Sequence, residues 1–244
     1  MLENKIIIVT GGSGLLGKAM LDDIQRKGGT AINFDVSFDQ TEGQHTIHCD
    51  ITSPESRQAA VQQVFDQFGR IDGLVNNAYP RTKDFATPFE AMTAESLATN
   101  VDWQMHSYIL LSQLLIPIMK QQKQGSIINI ASIYGVVGND WTVYEGTNMV
   151  SAPAYAAIKG GLINFTRYLA ALYGPEGIRF NCVSPGGIFD HQPEPFVQAY
   201  EHKVPMKRMG LPEDIAPTVS FLLSDQTKYV TGQNWIVDGG WTAI

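Results

Sequence analysis

The sequence predicts a doubly wound α/β fold, with a parallel sheet of about seven strands and helices on both faces. Short apolar runs alternate with helical patterns along the chain, and Ile6 to Val9 is the first such run. β-Branched residues without polar alternation are typical of a strand that a parallel sheet buries on both faces. Glycines follow this run at once, as expected where a strand turns into a helix.

The 244 residues suit one domain spanning 1–244. A net charge of -7 argues against a nucleic-acid partner, which would need a basic face, so small molecules are the expected partners.

Cys49 and Cys182 lack metal-type spacing and are expected to be buried thiols. The five histidines form no ligand pair, and we predict no metal. The chain shows no signal peptide and no apolar segment long enough for a bilayer, which predicts a cytoplasmic protein without a membrane partner.

Gly12, Gly14 and Gly17 stand at the spacing G-x-G-x-x-G between the first strand and a predicted helix. This turn can hold a pyrophosphate against backbone N–H groups at the helix start. The second predicted strand ends on Asp35, 18 residues past Gly17. A carboxylate there can accept the adenosine ribose hydroxyls and would repel a 2′-phosphate, so NAD is predicted rather than NADP. The alternative for Asp35 is an ordinary solvated acid.

Further strands end in polar or small residues, at the edge of the sheet where doubly wound folds bind ligands. Asp50 and Ile51 are placed to flank an adenine ring, although an ordinary strand end would look the same. Asn76 to Ala78 either fix the end of the sheet or touch the cofactor. Ser132 closes another buried strand, and a Pro-Gly-Gly turn at 185–187 follows the next.

Two segments are predicted to be substrate loops. Residues 133–153 show neither a helical nor a strand period, and a long irregular segment in a compact domain is typical of a functional loop. Residues 188–210 are proline-rich and look mobile, which indicates a lid. A long helical pattern lies within Thr93 to Lys123, with Gly125 as its predicted terminator.

Tyr155 and Lys159 lie four residues apart on a predicted helix, so their side chains share one face. An ammonium beside a phenol stabilises the phenolate and makes tyrosine a usable general acid or base. Tyr79 and Lys83 repeat the spacing, but Pro80 disfavours a helix there.

The chain resembles the short-chain dehydrogenase/reductase family over essentially its whole length. The resemblance rests on these features in this order: the glycine turn, Asp35, Asn76 to Ala78, Ser132, the Tyr155–Lys159 pair and Pro185 to Ile188. The resemblance implies a Rossmann fold and an NAD(H)-dependent enzyme that interconverts an alcohol and a ketone. It implies that Tyr155 donates or accepts the proton, Lys159 binds the nicotinamide ribose and lowers the tyrosine pKa, and Ser132 hydrogen-bonds the reacting oxygen. The predicted cofactor-binding residues are Gly11, Gly12, Ser13, Gly14, Leu15, Leu16, Asp35, Asp50, Ile51, Asn77, Ala78, Tyr79, Tyr155, Lys159, Pro185, Gly186 and Ile188.

The sequence departs from the family pattern in four places. The glycine spacing is nearer the longer, nucleotide-sugar-acting branch. Tyr79 replaces the glycine of Asn-Asn-Ala-Gly. Ser132 and Tyr155 are 23 residues apart, more than the single-domain branch uses. Gln104 stands where the family often has a catalytic asparagine, with Asn100 one turn earlier; either amide, or neither, could hold a proton-relaying water.

The strings NNAYPR, SIYGV and SPGGI followed by QPEPF look most like the family subgroup named flagellin modification protein A. This resemblance implies a role in bacterial amino-sugar or nonulosonic-acid biosynthesis. Two other functions stay open: a sugar epimerase or dehydratase that retains its NAD, and a non-catalytic NAD-sensing module.

Four side chains are predicted to bind substrate. Tyr134, Trp141 and Tyr144 can stack on a sugar face, and Arg81 can pair with a carboxylate or phosphate. The alternative is that the 133–153 segment packs against another subunit and that Arg81 is solvated. Gly160 and Gly161, which are unfavourable within a helix, suggest a close backbone neighbour and hence a homodimer or homotetramer.

Overall fold

The computed structural model describes residues 1–37 and 45–244. Seven parallel strands form one sheet in the order β3-β2-β1-β4-β5-β6-β7. The strands are Ile6–Thr10 (β1), Thr30–Asp35 (β2), His45–His48 (β3), Gly73–Asn76 (β4), Gly125–Ile130 (β5), Ile178–Pro185 (β6) and Asn234–Val237 (β7). This topology confirms the predicted fold class.

Within these two ranges, seven α-helices connect or follow the strands. They are Leu15–Arg26 (α1), Pro54–Phe68 (α2), Ala94–Val101 (α3), Ser107–Gln122 (α4), Pro153–Tyr173 (α5), Glu194–Lys203 (α6) and Pro212–Leu223 (α7). A π-helical turn, Asp102–His106, joins α3 to α4. None of the helices in the described ranges is long and apolar enough to cross a membrane.

The first strand shows why the sheet needs helices on both faces. Ile7 and Val9 point into a cluster formed with α1 and α7, whereas Ile6 and Ile8 point into a cluster formed with α2, α4 and α5. All four side chains are buried. Each such burial stabilises the fold by about 1.5–3 kcal/mol, so the strand is held equally from both sides.

The end of α4 differs from the prediction that Gly125 terminates it. Lys123 ends the helix instead, in the left-handed conformation at φ 55°. Gly125 is already the first residue of β5, and a Cβ there would lie 2.3 Å from the Met119 sulfur. The glycine is therefore required by packing rather than by a helix cap.

The two predicted loops pack on each other through a third hydrophobic cluster. Its buried members are Ile133, Val143, Phe196, Tyr200, Val204, Met209 and Trp241. The segment 188–210, predicted to be a lid, contains a helix at its centre, because α6 lies there and buries Phe196 and Tyr200; its role as a lid stays a prediction. Tyr200 stacks on Trp241 with centroids 4.4 Å apart, and its hydroxyl accepts a 2.6 Å hydrogen bond from the Gly187 amide.

The close neighbour of Gly160 and Gly161 lies within the same chain. A Cβ on Gly135 would lie 2.7 Å from the Lys159 carbonyl carbon and 2.9 Å from the Gly160 nitrogen, and one on Gly161 would lie 2.9 Å from the Met105 sulfur. These two helix glycines therefore give no support to a subunit interface, contrary to the argument from sequence.

Candidate functional site

A cleft of about 720 Å³ opens at the carboxyl ends of β1, β2, β4, β5 and β6. It is lined by Gly11, Ser13, Gly14, Leu15, Leu16, Asp35, Ser37, Asn77, Ala78, Tyr79, Arg81, Ile130, Ala131, Ser132, Tyr155, Lys159, Pro185, Gly186, Ile188, Asp190 and Gln192. Most of the side chains predicted to bind a cofactor or catalyse a reaction thus converge at one edge of the sheet.

The glycine turn fits an anionic group at the start of α1. A Cβ on Gly17 would lie 2.1 Å from the Gly11 carbonyl oxygen, so only glycine lets the helix approach the turn this closely. Gly14 precedes α1 without a side-chain cap, which leaves the first N–H groups of the helix without an intrahelical partner on the cleft side. The positive helix end and these donors suit a pyrophosphate.

The Asp35 carboxylate is fixed at the end of β2 beside the same turn. The Ser13 amide donates to its Oδ2 at 3.0 Å and the Ser37 amide donates to its Oδ1 at 3.1 Å. Within residues 1–37 and 45–244 each oxygen accepts this one hydrogen bond, and one carboxylate oxygen can accept two. Ribose hydroxyls are suitable donors for these positions.

Asn77 both fixes the sheet edge and faces the cleft, so the two alternatives for this segment combine. Its Nδ2 donates to the carbonyl oxygens of Thr10 and Gly11 at 2.9 and 3.2 Å. The Thr10 hydroxyl in turn accepts from the amides of Asn77 and Ala78. Asn76 is fully buried, and its Nδ2 donates to Asn129 Oδ1 at 2.8 Å, which ties β4 to β5.

Ser132 and Tyr155 stand at the centre of the cleft. The Ser132 hydroxyl accepts a 3.1 Å hydrogen bond from the Tyr134 amide, which leaves its own proton free to donate toward the cleft. Burial raises the pKa of Tyr155, and the hydrogen bond with Ser132 opposes this rise. The lowering of the tyrosine pKa that the resemblance implies is therefore not the net effect in this structure, because desolvation of the phenol outweighs it.

Lys159 lies below the tyrosine and is buried. Its Nζ donates to the Ile130 carbonyl oxygen at 2.8 Å and lies 5.4 Å from the centroid of the Tyr155 ring. Burial lowers the pKa of this amine from 10.5 to about 8, and within residues 1–37 and 45–244 the amine forms no ion pair with a carboxylate. The amine is therefore a desolvated group on a dry part of the cleft floor.

Tyr79 projects into the cleft, as its replacement of a glycine suggested. Its ring packs edge-to-face against Tyr155 and against Phe85, each at a centroid distance of 5.7 Å. The Arg81 guanidinium lies over the same ring, with Cζ 5.4 Å from the centroid. Tyr79 is therefore a platform between an arginine and the predicted proton donor.

Seven of the predicted site residues do not line the cleft: Gly12, Asp50, Ile51, Gln104, Tyr134, Trp141 and Tyr144. A Cβ on Gly12 would lie 2.3 Å from Asn33 Oδ1, so this glycine serves packing inside the fold. Asp50 Oδ1 accepts from the amide and hydroxyl of Thr52 at 2.8 and 2.7 Å, and Ile51 is buried in the core. Their placement beside an adenine ring stays a prediction.

The three aromatic side chains predicted to stack on a sugar pack against protein instead. Tyr144 contacts Phe196 of α6 at 5.3 Å and Trp141 at 5.7 Å between ring centroids. The hydroxyls of Tyr134 and Tyr144 are 3.3 Å apart. Tyr134 and Tyr144 pack against the third cluster, whereas Trp141 is 60% exposed and contacts Tyr144; none of the three lines the cleft.

The two candidate relay amides differ in their partners. Asn100 Nδ2 donates to Thr82 Oγ1 and to the Ser96 carbonyl oxygen, both at 2.8 Å, and Asn100 Oδ1 accepts from the Thr82 amide. Gln104 is buried within the π-helical turn, and neither its Oε1 nor its Nε2 has a hydrogen-bond partner among the described residues. An unsatisfied buried amide is costly, so Gln104 is the side chain with capacity to hold a water.

Six residues at the site were not named from sequence. Ser37, Ile130, Ala131, Asp190 and Gln192 line the cleft, and Tyr108 donates its hydroxyl proton to the Ala78 carbonyl oxygen at 2.8 Å. Asp190 and Gln192 lie within the predicted substrate loop 188–210, and the other three lining residues lie at or just after strand ends, which is a signal that could have found them. Tyr108 carries no such signal, because it lies within an apolar helix.

A family model described as enoyl-(acyl carrier protein) reductase matches residues 21–242. The chain is 37% identical to the post-translational flagellin modification protein A of Campylobacter coli, over 99% of each sequence. It belongs to the short-chain dehydrogenase/reductase family. This short-chain dehydrogenase/reductase is also 31% identical to the 7alpha-hydroxysteroid dehydrogenase of Bacteroides fragilis, over 98% of the chain and 95% of that relative.

Solved structures agree with this membership. A short chain dehydrogenase from Leptospira borgpetersenii, crystallised with bound NAD+, is 36% identical and matches with a TM-score of 0.87, over 99% of this chain and 94% of that one. Levodione reductase matches with a TM-score of 0.86 at 29% identity, over 100% and 99% of the two chains. The resemblance inferred from motifs is thus confirmed, and the chain is an oxidoreductase of this family.

Over residues 1–37 and 45–244, no group of three or more His, Cys, Asp or Glu side chains is placed to hold a metal ion.

Proposed function

We propose that this protein is an NAD(H)-dependent oxidoreductase that interconverts an alcohol and a ketone on a small polar substrate. The observation that carries the proposal is the convergence of Ser132, Tyr155 and Lys159 in the cleft that also holds the glycine turn and Asp35. A hydroxyl donor, a phenol and a buried amine are the groups that proton transfer at a carbinol oxygen requires. NAD supplies the hydride acceptor, and NADH the donor.

Each of these side chains has a distinct task in the proposal. Tyr155 gives a proton to the ketone oxygen or takes one from the alcohol. Ser132, with its acceptor position already used by the Tyr134 amide, donates to the same oxygen and orients it. Lys159 hydrogen-bonds the nicotinamide ribose, and its charge favours the phenolate when the tyrosine has lost its proton. Gln104 is the proposed holder of a relay water, because its amide has no hydrogen-bond partner within the described part of the chain.

The cofactor is NAD rather than NADP in this proposal. The neighbouring Leptospira enzyme was crystallised with NAD+. Here two amides fix Asp35 at the cleft, where its carboxylate can accept ribose hydroxyls, and its negative charge would repel a 2′-phosphate. Pro185, Gly186 and Ile188 line the opposite end of the cleft and would cover the nicotinamide.

The proposed substrate is an amino sugar or sugar phosphate of bacterial surface-glycan biosynthesis. The Campylobacter relative is named for flagellin modification, and a Rhizobium meliloti relative at 28% identity is named a probable galactose dehydrogenase. An epimerase or dehydratase that retains its NAD would return the hydride and leave no net NADH. A sensing module would bind NAD without turnover.

We propose further that the protein works in the cytoplasm as a homodimer or homotetramer. Tyr168 and Leu172 on α5 are 59% and 48% exposed, and Leu110 on α4 is 39% exposed. Tyr168 stacks on Phe165 at 5.6 Å, which broadens this apolar surface. A second copy would cover it, and sedimentation at micromolar concentration should show no monomer.

The function is tested with a panel of amino sugars and sugar phosphates, read at the absorbance of NADH. Net NADH formation or consumption is expected with at least one compound, and NAD should serve better than NADP. Tyr155→Phe should lower turnover at least about a hundredfold while leaving NAD affinity intact, because the hydroxyl serves the substrate. Tyr168→Phe, on the exposed face of α5, is the matched control. If Tyr155→Phe keeps wild-type turnover, Tyr155 is not the group that transfers the proton. Product formed without net NADH would favour the epimerase.

A further inference from the structure

Arg81 is placed to receive a ligand rather than to stabilise the fold. It follows β4 and lines the cleft together with Ser132 and Tyr155, and its side chain is exposed. Arg26, Arg70 and Arg208 each form an ion pair with an aspartate, whereas Arg81 has no ion pair within the described part of the chain. A cation without a protein counter-ion in a concave site is available to an anion.

The aromatic neighbours of Arg81 hold it in place. The guanidinium lies over the Tyr79 ring, and that ring is fixed by edge-to-face contacts with Phe85 and Tyr155. The guanidinium also hydrogen-bonds the Tyr79 hydroxyl, which takes up one of its N–H donors and leaves the others available. Arg81 can therefore form a bidentate pair with a carboxylate or phosphate without leaving its platform.

The other charged residues that line the cleft leave Arg81 as the accessible positive charge for an anionic substrate. Apart from Arg81, the charged lining residues are Asp35, Asp190 and Lys159. Lys159 is buried and already donates to the Ile130 carbonyl oxygen. The chain carries a net charge of -7, so long-range attraction does not favour an anionic substrate. Without Arg81, two carboxylates would dominate the accessible lining.

From this arrangement we infer that the substrate carries a carboxylate or phosphate, which Arg81 binds one aromatic ring away from the oxygen that reacts at Tyr155. The inference rests on the proposed function and names the substrate class for it. Tyr79 separates the two points, so the anionic group lies on a different part of the molecule from the reacting carbon. A neutral compound of the same skeleton would leave the guanidinium unpaired.

Matched probes test this directly. Glucose, glucuronate and glucose 6-phosphate share one skeleton and differ in the anionic group. Each is titrated calorimetrically into the full-length protein saturated with NAD, and any turnover is followed by NADH absorbance. Wild type should bind at least one anionic probe about ten- to a hundredfold more tightly than glucose, the scale of a charge-assisted pair. Which probe binds separates a carboxylate site from a phosphate site.

Variants assign the effect to the residue. Arg81→Gln should remove the preference for the anionic probe, with affinity for glucose and for NAD unchanged. Arg81→Lys keeps the charge but loses the planar fork, so it should restore only part of the preference. Lys83→Gln is the matched control, because Lys83 is an exposed cation two residues away that does not line the cleft.

Three results would overturn the inference. They are equal wild-type affinity for neutral and anionic probes, an unchanged preference in Arg81→Gln, and a loss in Lys83→Gln as large as that in Arg81→Gln. The proposed function is judged separately, by net NADH turnover with any compound of the wider panel. Arg81-dependent anion binding without turnover would keep the anion site and reject the oxidoreductase.

Discussion

One wall of the cleft and the packing of 133–153 on α6 are held by different kinds of contact. On the wall built by β1, β2 and β4, main-chain groups fix the site: amides hold Asp35, and carbonyl oxygens hold Asn77. Residues 133–153 and α6 do not line the cleft, and aromatic rings hold them together, with Tyr200 on Trp241 and Tyr144 on Phe196. The wall therefore admits little change in residue size, whereas the packing of 133–153 on α6 is the sum of many side-chain contacts and should tolerate change.

Gly17→Ala should give the largest effect of the comparison. The new Cβ would lie 2.1 Å from the Gly11 oxygen and 2.6 Å from the Gly12 Cα, and backbone atoms cannot move aside as a side chain can. The free energy of unfolding should fall by about 3 kcal/mol, the upper end for overpacking, and NAD affinity should fall with it. Urea unfolding and NAD titration measure the two.

Gly14→Ala is the matched variant for that experiment. A Cβ on Gly14 would have only the Gly11 oxygen nearby, at 3.2 Å, and Gly14 lines the cleft. It should weaken NAD binding while the fold keeps most of its stability. A Gly17→Ala protein as stable as wild type would show that this wall is not held by close backbone approach.

Lys159, on the floor of the cleft, should make an intermediate, pH-dependent contribution to the free energy of unfolding. Its pKa is lowered to about 8 by burial, whereas the unfolded chain has the ordinary value of 10.5. Between these values the unfolded state binds more protons, so the free energy of unfolding should rise with pH, by up to about 1.4 kcal/mol per unit.

Urea unfolding between about pH 8 and pH 10, compared with Lys159→Met, isolates this contribution, because the other groups titrate equally in both proteins. Lys83→Met provides an exposed reference. If Lys159→Met shows the same slope as wild type, the amine is solvated when folded and the dry floor described for the cleft is wrong.

Tyr144→Leu should give the smallest effect. It removes ring contacts with Phe196 and Trp141 but keeps an apolar side chain, at a cost of about 1 kcal/mol in unfolding free energy. Thermal unfolding measures it, and KM for any substrate found should stay unchanged. A raised KM with unchanged stability would return Tyr144 to the substrate pocket, where the sequence had placed it.

Sequence reasoning was successful where a residue is positioned by its own segment. The glycine turn, Asp35, Ser132, Tyr155 and Lys159 each follow from a strand end or a helical spacing, and the structure brings them together. The parallel sheet of seven strands and the helices on both faces follow from the same alternation of patterns.

Reasoning from sequence failed where distant segments decide the outcome. The direction of Tyr144 depends on α6 and on Trp241, whose positions no local pattern gives. Gly160 has its close neighbour at Gly135, and Gly125 is required by Met119 rather than by a helix cap. In each case the residue type was noticed correctly, but its partner could be known only from the tertiary fold.

The hydrogen bond from Gly187 to the Tyr200 hydroxyl joins α6 to the turn that lines the cofactor end of the cleft. A ligand that shifted α6 would also shift Gly186 and Ile188, the neighbours of Gly187. Such a coupling is reciprocal, so each ligand would change the affinity for the other by the same factor. Tyr200 would then couple the affinities for cofactor and substrate although it does not line the cleft.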